Sequence, residues 1–163
     1  WFRERLRPGM TVVDMGANVG FYTIPFAEIV GASGAVHAFE PDPFCHSILR
    51  DRVRKRAIQN VRLEAAAVGA AEGTVTLYCS RRDRAENRMH PFERAVAVET
   101  VDVRLLTLDG YCRERAVGHI DAVKIDVEGY EVSALTGMRG ILAADPHGWL
   151  WIEFAPDQLT GAG

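Results

Sequence analysis

Cysteine is scarce in this sequence: Cys45, Cys79 and Cys112 stand far apart, odd in number and without a Cys-x-x-Cys spacing. That argues against a disulfide framework and a thiolate zinc site, and leads us to expect a reducing, cytoplasmic setting. Long apolar runs are missing as well. No stretch approaches the ~18 residues of a membrane span, and no basic-then-apolar leader opens the chain, so no membrane partner is expected. Charge of one sign is lacking too: 19 Lys and Arg against 22 Asp and Glu leave a net charge of −3. That balance gives no global attraction to nucleic acid. The basic run from Arg50 to Arg56 carries no interleaved aromatics and reads as the exposed side of a helix. Repeats, low-complexity tracts and domain linkers are also absent. What remains is 163 residues, 48% of them apolar, enough for a single domain burying roughly 70% of its unfolded surface. The chain opens on Trp1 and runs out at Leu159-Thr160-Gly161-Ala162-Gly163. We expect a fragment or core of a longer protein, and oligomeric state is not legible.

Short β-branched runs alternate with longer stretches of helical period, the pattern of a parallel sheet with helices on both faces. The expected strands are Thr11 to Met15, Ala35 to Glu40, Val61 to Ala66, Ala122 to Val127 and Trp149 to Phe154. The expected helices are Phe21 to Val30, ending at a C′ glycine, Gly31; Asp42-Pro43 to about Arg56, with an N-cap acceptor before proline; and Glu131 to Ala143. The last carries Val132, Leu135, Met138, Ile141 and Leu142 at intervals of three and four. Between Gly73 and Val103, "GTVTLYC" and "AVAVETVDV" alternate with period two, as antiparallel strands do. They flank the polar stretch "SRRDRAENRMHPFER", and loops this long inside a compact domain are usually functional or disordered.

The stretch "VVDMGANVGFYT" ends a strand at Asp14 and turns through Gly16, Asn18 and Gly20 into a helix, at the edge where open parallel sheets bind ligands. A dinucleotide site requires Gly-x-Gly-x-x-Gly. Asn18 and Phe21 occupy its second and third glycine positions, so that fingerprint fails twice. The wider Asp-x-Gly-x-Asn-x-Gly bend suits a cationic ligand with an amino-acid tail, while a plain glycine-rich turn is the simpler alternative. Glu40, followed by Pro41 at the tip of the next strand, lies about 20 residues on, where a carboxylate can accept both hydroxyls of a ribose. Alone it would read as a solvated strand end; together with the bend it favours a nucleoside.

Five blocks, "VVDMGANVGFYT", "VHAFEPDP", "NVRLEAAAVG", "AENRMH" and "VKIDVEGYEVSALTGM", occur in an order that resembles the FkbM family of S-adenosylmethionine-dependent methyltransferases. The likeness runs from about Gly9 to Phe154, and "KIDVEGYE" followed by Leu-x-Gly-Met is its most specific part. It implies a Rossmann-like fold, an open and mostly parallel sheet with helices on both faces and the cofactor across the tips of strands one and two; the antiparallel pair read above falls between strands three and four. The likeness also implies S-adenosyl-L-methionine as cofactor. Asp14, Gly16, Asn18 and Gly20 would line its methionyl end, Glu40 and Pro41 its ribose, and Ala67 and Val68 its adenine. The implied reaction is O-methylation of a small-molecule secondary metabolite or a sugar. Class I methyltransferases add two strands after the fifth; here the chain ends roughly nine residues past it, so those strands are expected to be absent.

In such a fold strand four borders strand one. Lys124, Asp126 and Glu128 would share one face of it, Asp126 would approach the cofactor's methyl group, and Glu153 would neighbour it from strand five. Clustered carboxylates permit two tasks. One can take the proton of a substrate hydroxyl, aided by like charge nearby; two or three can hold a divalent cation. The second reading lacks a third ligand, and no metal is expected. A Lys124-carboxylate network at a strand end is the alternative to both. Asp126 therefore stands as both a catalytic and a cofactor-binding candidate, with Glu128, Glu153 and His90 as further catalytic candidates. Arg81, Arg82, Arg84, Asn87, Arg88, Met89 and His90 are expected to select an anionic or polyhydroxylated acceptor. An NAD-dependent oxidoreductase and a non-catalytic Rossmann-like binding module are the competing classes.

Overall fold

The computed structural model describes residues 2–80, 87–89, 98–144 and 148–153. A short helix α1 (Phe2–Arg5) precedes β1 (Thr11–Met15), α2 (Thr23–Val30), β2 (Ala35–Phe39), α3 (Pro43–Lys55) and β3 (Val61–Glu64). The chain continues through β4 (Ala66–Val68), β5 (Gly73–Ser80), β6 (Val98–Leu106) and α4 (Leu108–Arg115). β7 (Ala122–Ile125), α5 (Glu131–Thr136), α6 (Arg139–Ala144) and β8 (Trp149–Ile152) complete it.

Five strands form one sheet in the order β3-β2-β1-β7-β8, every neighbour parallel. The chain builds outward from β1 on one side, then crosses to its other side at β7. The carboxyl edge between β1 and β7 is therefore the topological switch point, where such sheets hold ligands. Both faces are covered, which is why the central strands read as continuous apolar runs. Val13, Met15, Phe39, Ile125, Leu108, Tyr111, Ala134 and Met138 pack on one face. Val12, Val36, Leu6, Phe26 and Val30 pack on the other.

Local chemistry sets the element starts. Asp42 accepts the Phe44 N–H at 2.9 Å, with Pro43 in the first turn of α3. Thr107 accepts the Gly110 N–H at 3.0 Å and starts α4, a helix the sequence pattern does not announce. Gly31 ends α2 at a φ of 65°, a left-handed position that favours glycine.

Three expectations change. The run Val61 to Ala66 is not one strand: β3 stops at Glu64, and Ala66–Val68 joins a second sheet of order β4-β6-β5. There β6 pairs parallel with β4 and antiparallel with β5. The long C-terminal helix is broken into α5 and α6 at Gly137, whose carbonyl accepts the Asp109 N–H at 3.0 Å while the Asp109 carboxylate accepts the Gly140 and Ile141 N–H groups at 2.8 and 3.0 Å. Its stripe is incomplete as well, since Val132 is 66% exposed. Strand four ends two residues early, at Ile125. Among the described residues no helix is long and apolar enough to cross a membrane.

Candidate functional site

The bend after β1 owes its shape to backbone positions that side chains rarely tolerate. Gly16, Asn18 and Gly20 have φ values of 74°, 49° and 90°. A Cβ on Gly16 would strike the Asp126 carbonyl oxygen, and one on Gly20 would strike Leu49. Gly16 thus lets β1 and the segment after β7 approach backbone to backbone. Asn18 tolerates the left-handed conformation as Asn often does, its Oδ1 accepting the Val19 N–H at 2.7 Å.

Glu40 stands at the tip of β2, 6% exposed. Its Oε2 accepts the Asn18 N–H at 2.6 Å and its Oε1 the Asp42 N–H at 2.9 Å. Burial pushes its pKa up to about 7; the two N–H bonds oppose that rise, and the Asp42 and Asp14 carboxylates add to it. Each carboxylate oxygen has a second lone pair with which it can accept from a ligand.

Beneath the bend lies a buried ion network. The Lys124 ammonium, 1% exposed, sits 3.0 Å from Asp14 Oδ1 and 3.3 Å from Asp126 Oδ2. It also donates to the Gly16 carbonyl at 3.1 Å and lies 5.1 Å from the centre of the Tyr22 ring. Burial alone would lower its pKa, but the Asp14 and then the Asp126 carboxylate outweigh it, and the net shift is upward. Thr23 Oγ1 donates to the other Asp14 oxygen at 2.6 Å. Asp14 is therefore wholly buried and engaged from both sides.

Past β7 the chain turns sharply through Glu128 at a φ of 50° and Gly129 at 91°. Glu131 Oε1 braces this turn by accepting the N–H groups of Val127 and Gly129 at 3.3 and 3.1 Å. Asp126, Glu128 and Glu153 each bring a carboxylate oxygen within 4.8 Å of the others. Asp126 is hydrogen-bonded to Glu153, which, with burial and the negative charges of Asp126 and Glu128, pushes the Glu153 pKa up to about 7 against the pull of Lys124. The arrangement can carry a proton between two carboxylates, and its oxygens also suit a hard cation. Glu128, expected from the sequence as a catalytic candidate, stands as a third oxygen donor beside Asp126 and Glu153.

A cavity of about 290 Å³ opens at this edge, near the lower end of ligand pockets, ~300 Å³. Gly16, Asn18, Glu40 and Pro41 form one part of its wall, and Asp126, Glu128 and Glu153 another. Phe39, Ala66, Ala67, Val68 and Leu77 supply an apolar shelf. Of the expected cofactor residues, Asp14 and Gly20 do not line it: Asp14 is consumed by Lys124 and Thr23, and Gly20 packs against Leu49. His90 lies outside the described residues. Asn87 and Met89, expected on the acceptor side, are part of this same wall. Met15, Phe39, Leu77 and Val127 were not singled out, because apolar strand residues carry no signal that separates a ligand shelf from plain core.

These features define a Rossmann-like α/β domain with a mixed polar and apolar cavity at its switch point. The sequence matches the methyltransferase FkbM domain over residues 14–156, and the chain belongs to that family. It is 30% identical to 31-O-demethyl-FK506 methyltransferase FkbM of Streptomyces tacrolimicus, over 82% of this chain and 61% of that protein. It is 21% identical to 2-O-methyltransferase NoeI of Sinorhizobium fredii, over 94% of this chain and 66% of that protein. The chain thus spans less than two thirds of the length of these curated relatives. The crystal structure of methyltransferase FkbM from Methylobacillus flagellatus KT aligns with 99% of this chain and 41% of its own, with a TM-score of 0.67 at 17% identity.

Proposed function

We infer that this domain binds S-adenosylmethionine in the switch-point cavity and transfers its methyl group to a hydroxyl oxygen of a small molecule or glycan. The observation that carries the reading is Glu40. A carboxylate at the tip of β2, held from behind by two backbone N–H groups, lines a cavity whose other walls are the glycine bend and an apolar shelf. That combination fits a nucleoside: acceptors for ribose hydroxyls and an apolar surface for a base. Gly16 and Asn18 would hold the methionyl end, Glu40 and Pro41 the ribose, and Ala67 and Val68 the adenine. When bound, the cofactor supplies an electrophilic methyl group already activated for transfer. Hydroxyl oxygen as the acceptor atom is supported by two relatives whose names specify O-methylation.

The work left to the chain is positioning and proton removal. Alignment of reacting groups can supply on the order of 7 to 11 kcal/mol. The Asp126-Glu153 pair, with Asp126 held by Lys124, would accept the hydroxyl proton, a reading supported by the raised Glu153 pKa. Calorimetric titration of the full-length protein with S-adenosylhomocysteine tests the first half. One site per chain is expected, and a folded protein that binds none would overturn the reading. Tritiated methyl incorporation across a panel of polyhydroxylated acceptors tests the second.

A further inference from the structure

Asn87 belongs to the excursion between β5 and β6, yet it is tied into the cavity's polar framework. Its Oδ1 accepts the Ser80 N–H at 2.9 Å and its Nδ2 donates to Asp42 Oδ2 at 2.8 Å. Asp42, 1% exposed, uses its other oxygen to cap α3 through the Phe44 N–H at 2.9 Å. Its own N–H donates to Glu40 Oε1 at 2.9 Å, and Glu40 Oε2 takes the Asn18 N–H. One continuous run of hydrogen bonds therefore leads from the end of β5, through Asn87, Asp42 and Glu40, to the glycine bend. Packing reinforces it. Arg88 and Tyr78 exchange backbone hydrogen bonds at 2.8 and 3.1 Å, and Met89 packs on the cluster of Ala67, Leu77 and Val103. Asn87 and Met89 both line the cavity.

We propose that Asn87 is a positioning residue for the methyl donor, fixing the Asp42 side chain and through it the Glu40 carboxylate, so that donor affinity depends on Asn87. This rests on assigning the cavity to the donor. The position calls for a carboxamide: one group must accept from a backbone N–H and donate to a carboxylate, and an amide offers both. Asn87→Asp keeps the acceptor but sets two carboxylates against each other. Asp42→Asn preserves the cap of α3, since Asn and Asp are comparable N-caps. Combining Asn87→Asp with Asp42→Asn places a donor opposite an acceptor again and leaves the net charge as it was.

The test is the dissociation constant of S-adenosylhomocysteine, by calorimetry on the full-length protein, for the wild type, both single variants and the double variant. Each is first shown by its thermal melt to be folded at the assay temperature. Asn87→Asp is expected to weaken binding about tenfold or more, the scale of a charge-assisted hydrogen bond. The double variant is expected to return to within about threefold of the wild type, by restoring that bond. Asn87→Asp binding like the wild type, or a double variant no better than Asn87→Asp, would overturn the proposal. A merely structural role would move the melting temperature and leave the affinity of the folded protein unchanged. If Asn87→Asp does not fold, Asn87→Ala replaces it, with about fivefold weaker binding expected and unchanged binding overturning the proposal. A wild type that binds no S-adenosylhomocysteine would instead refute the assignment of the cavity.

Discussion

Replacing Glu40 with glutamine removes a charge that the folded chain holds at a cost. Moving this carboxyl from its ordinary 4.5 to about 7 makes its ionisation about 3 kcal/mol harder in the fold than in the unfolded chain. The sign follows directly. Without ligand, the folded state prefers Glu40 protonated; that stabilising contribution is whole below pH 4.5 and is lost as pH rises through about 7. Ribose hydroxyls prefer the ionised form, which accepts without a competing proton. Binding of S-adenosylhomocysteine to the wild type should then be tightest above pH 8 and about tenfold weaker at pH 6, with proton release near neutrality. In Glu40→Gln the group no longer titrates. Its contribution to the pH profile should vanish, and affinity at pH 8 should fall roughly 10- to 150-fold, the loss of about 1.5 to 3 kcal/mol from a charged acceptor. Calorimetry between pH 5.5 and 8.5, in buffers of different ionisation enthalpy, reads both quantities. A wild-type affinity independent of pH, or a Glu40→Gln protein as tight as the wild type at pH 8, would refute the reasoning.

Three further outcomes follow from the same geometry. Lys124→Met strips the counter-charge from the fully buried Asp14 and should cost about 3 to 5 kcal/mol in urea unfolding. Adding Asp14→Asn should recover most of that loss; an unchanged urea midpoint in Lys124→Met would count against the network. Gly16→Ala should lower stability by at least ~1 to 2 kcal/mol for its left-handed φ, with more for the clash with the Asp126 carbonyl. A thermal melt matching the wild type would contradict it. Carboxyl-detected NMR should show Glu153 titrating near 7, and Asp126→Asn should move it down, because the Asp126 hydrogen bond is the largest cause of its rise. If Glu153 serves as the base, methyl transfer should rise with pH through the same range, as its ionised form accumulates.

Much of this was legible because it is local. The Asp42-Pro43 start, the Gly31 stop and the alternation of apolar runs with helical periods give the parallel sheet, whereas its strand order is implied only by the family resemblance. The misreadings arose where tertiary contacts decide. "VRLEAAAV" carries no mark at Ala65 of the switch between sheets, since small residues fit either. The break at Gly137 goes with hydrogen bonds to Asp109, 28 residues back in the chain. Gly110, in the first turn of α4, weakens the helical pattern, but a side chain there would meet Glu72. No spacing rule announces that Asp14 meets Lys124, 110 residues on. Only the sheet order brings them together. No spacing rule connects Asn87 to Asp42 either.

The most direct measurement is a crystal structure of the full-length protein with S-adenosylhomocysteine. The account predicts the ligand in the switch-point cavity, its ribose hydroxyls within hydrogen-bond distance of the Glu40 carboxylate and its base on the shelf of Phe39, Ala67 and Leu77. A ligand bound elsewhere, or a ribose that does not touch Glu40, would contradict it.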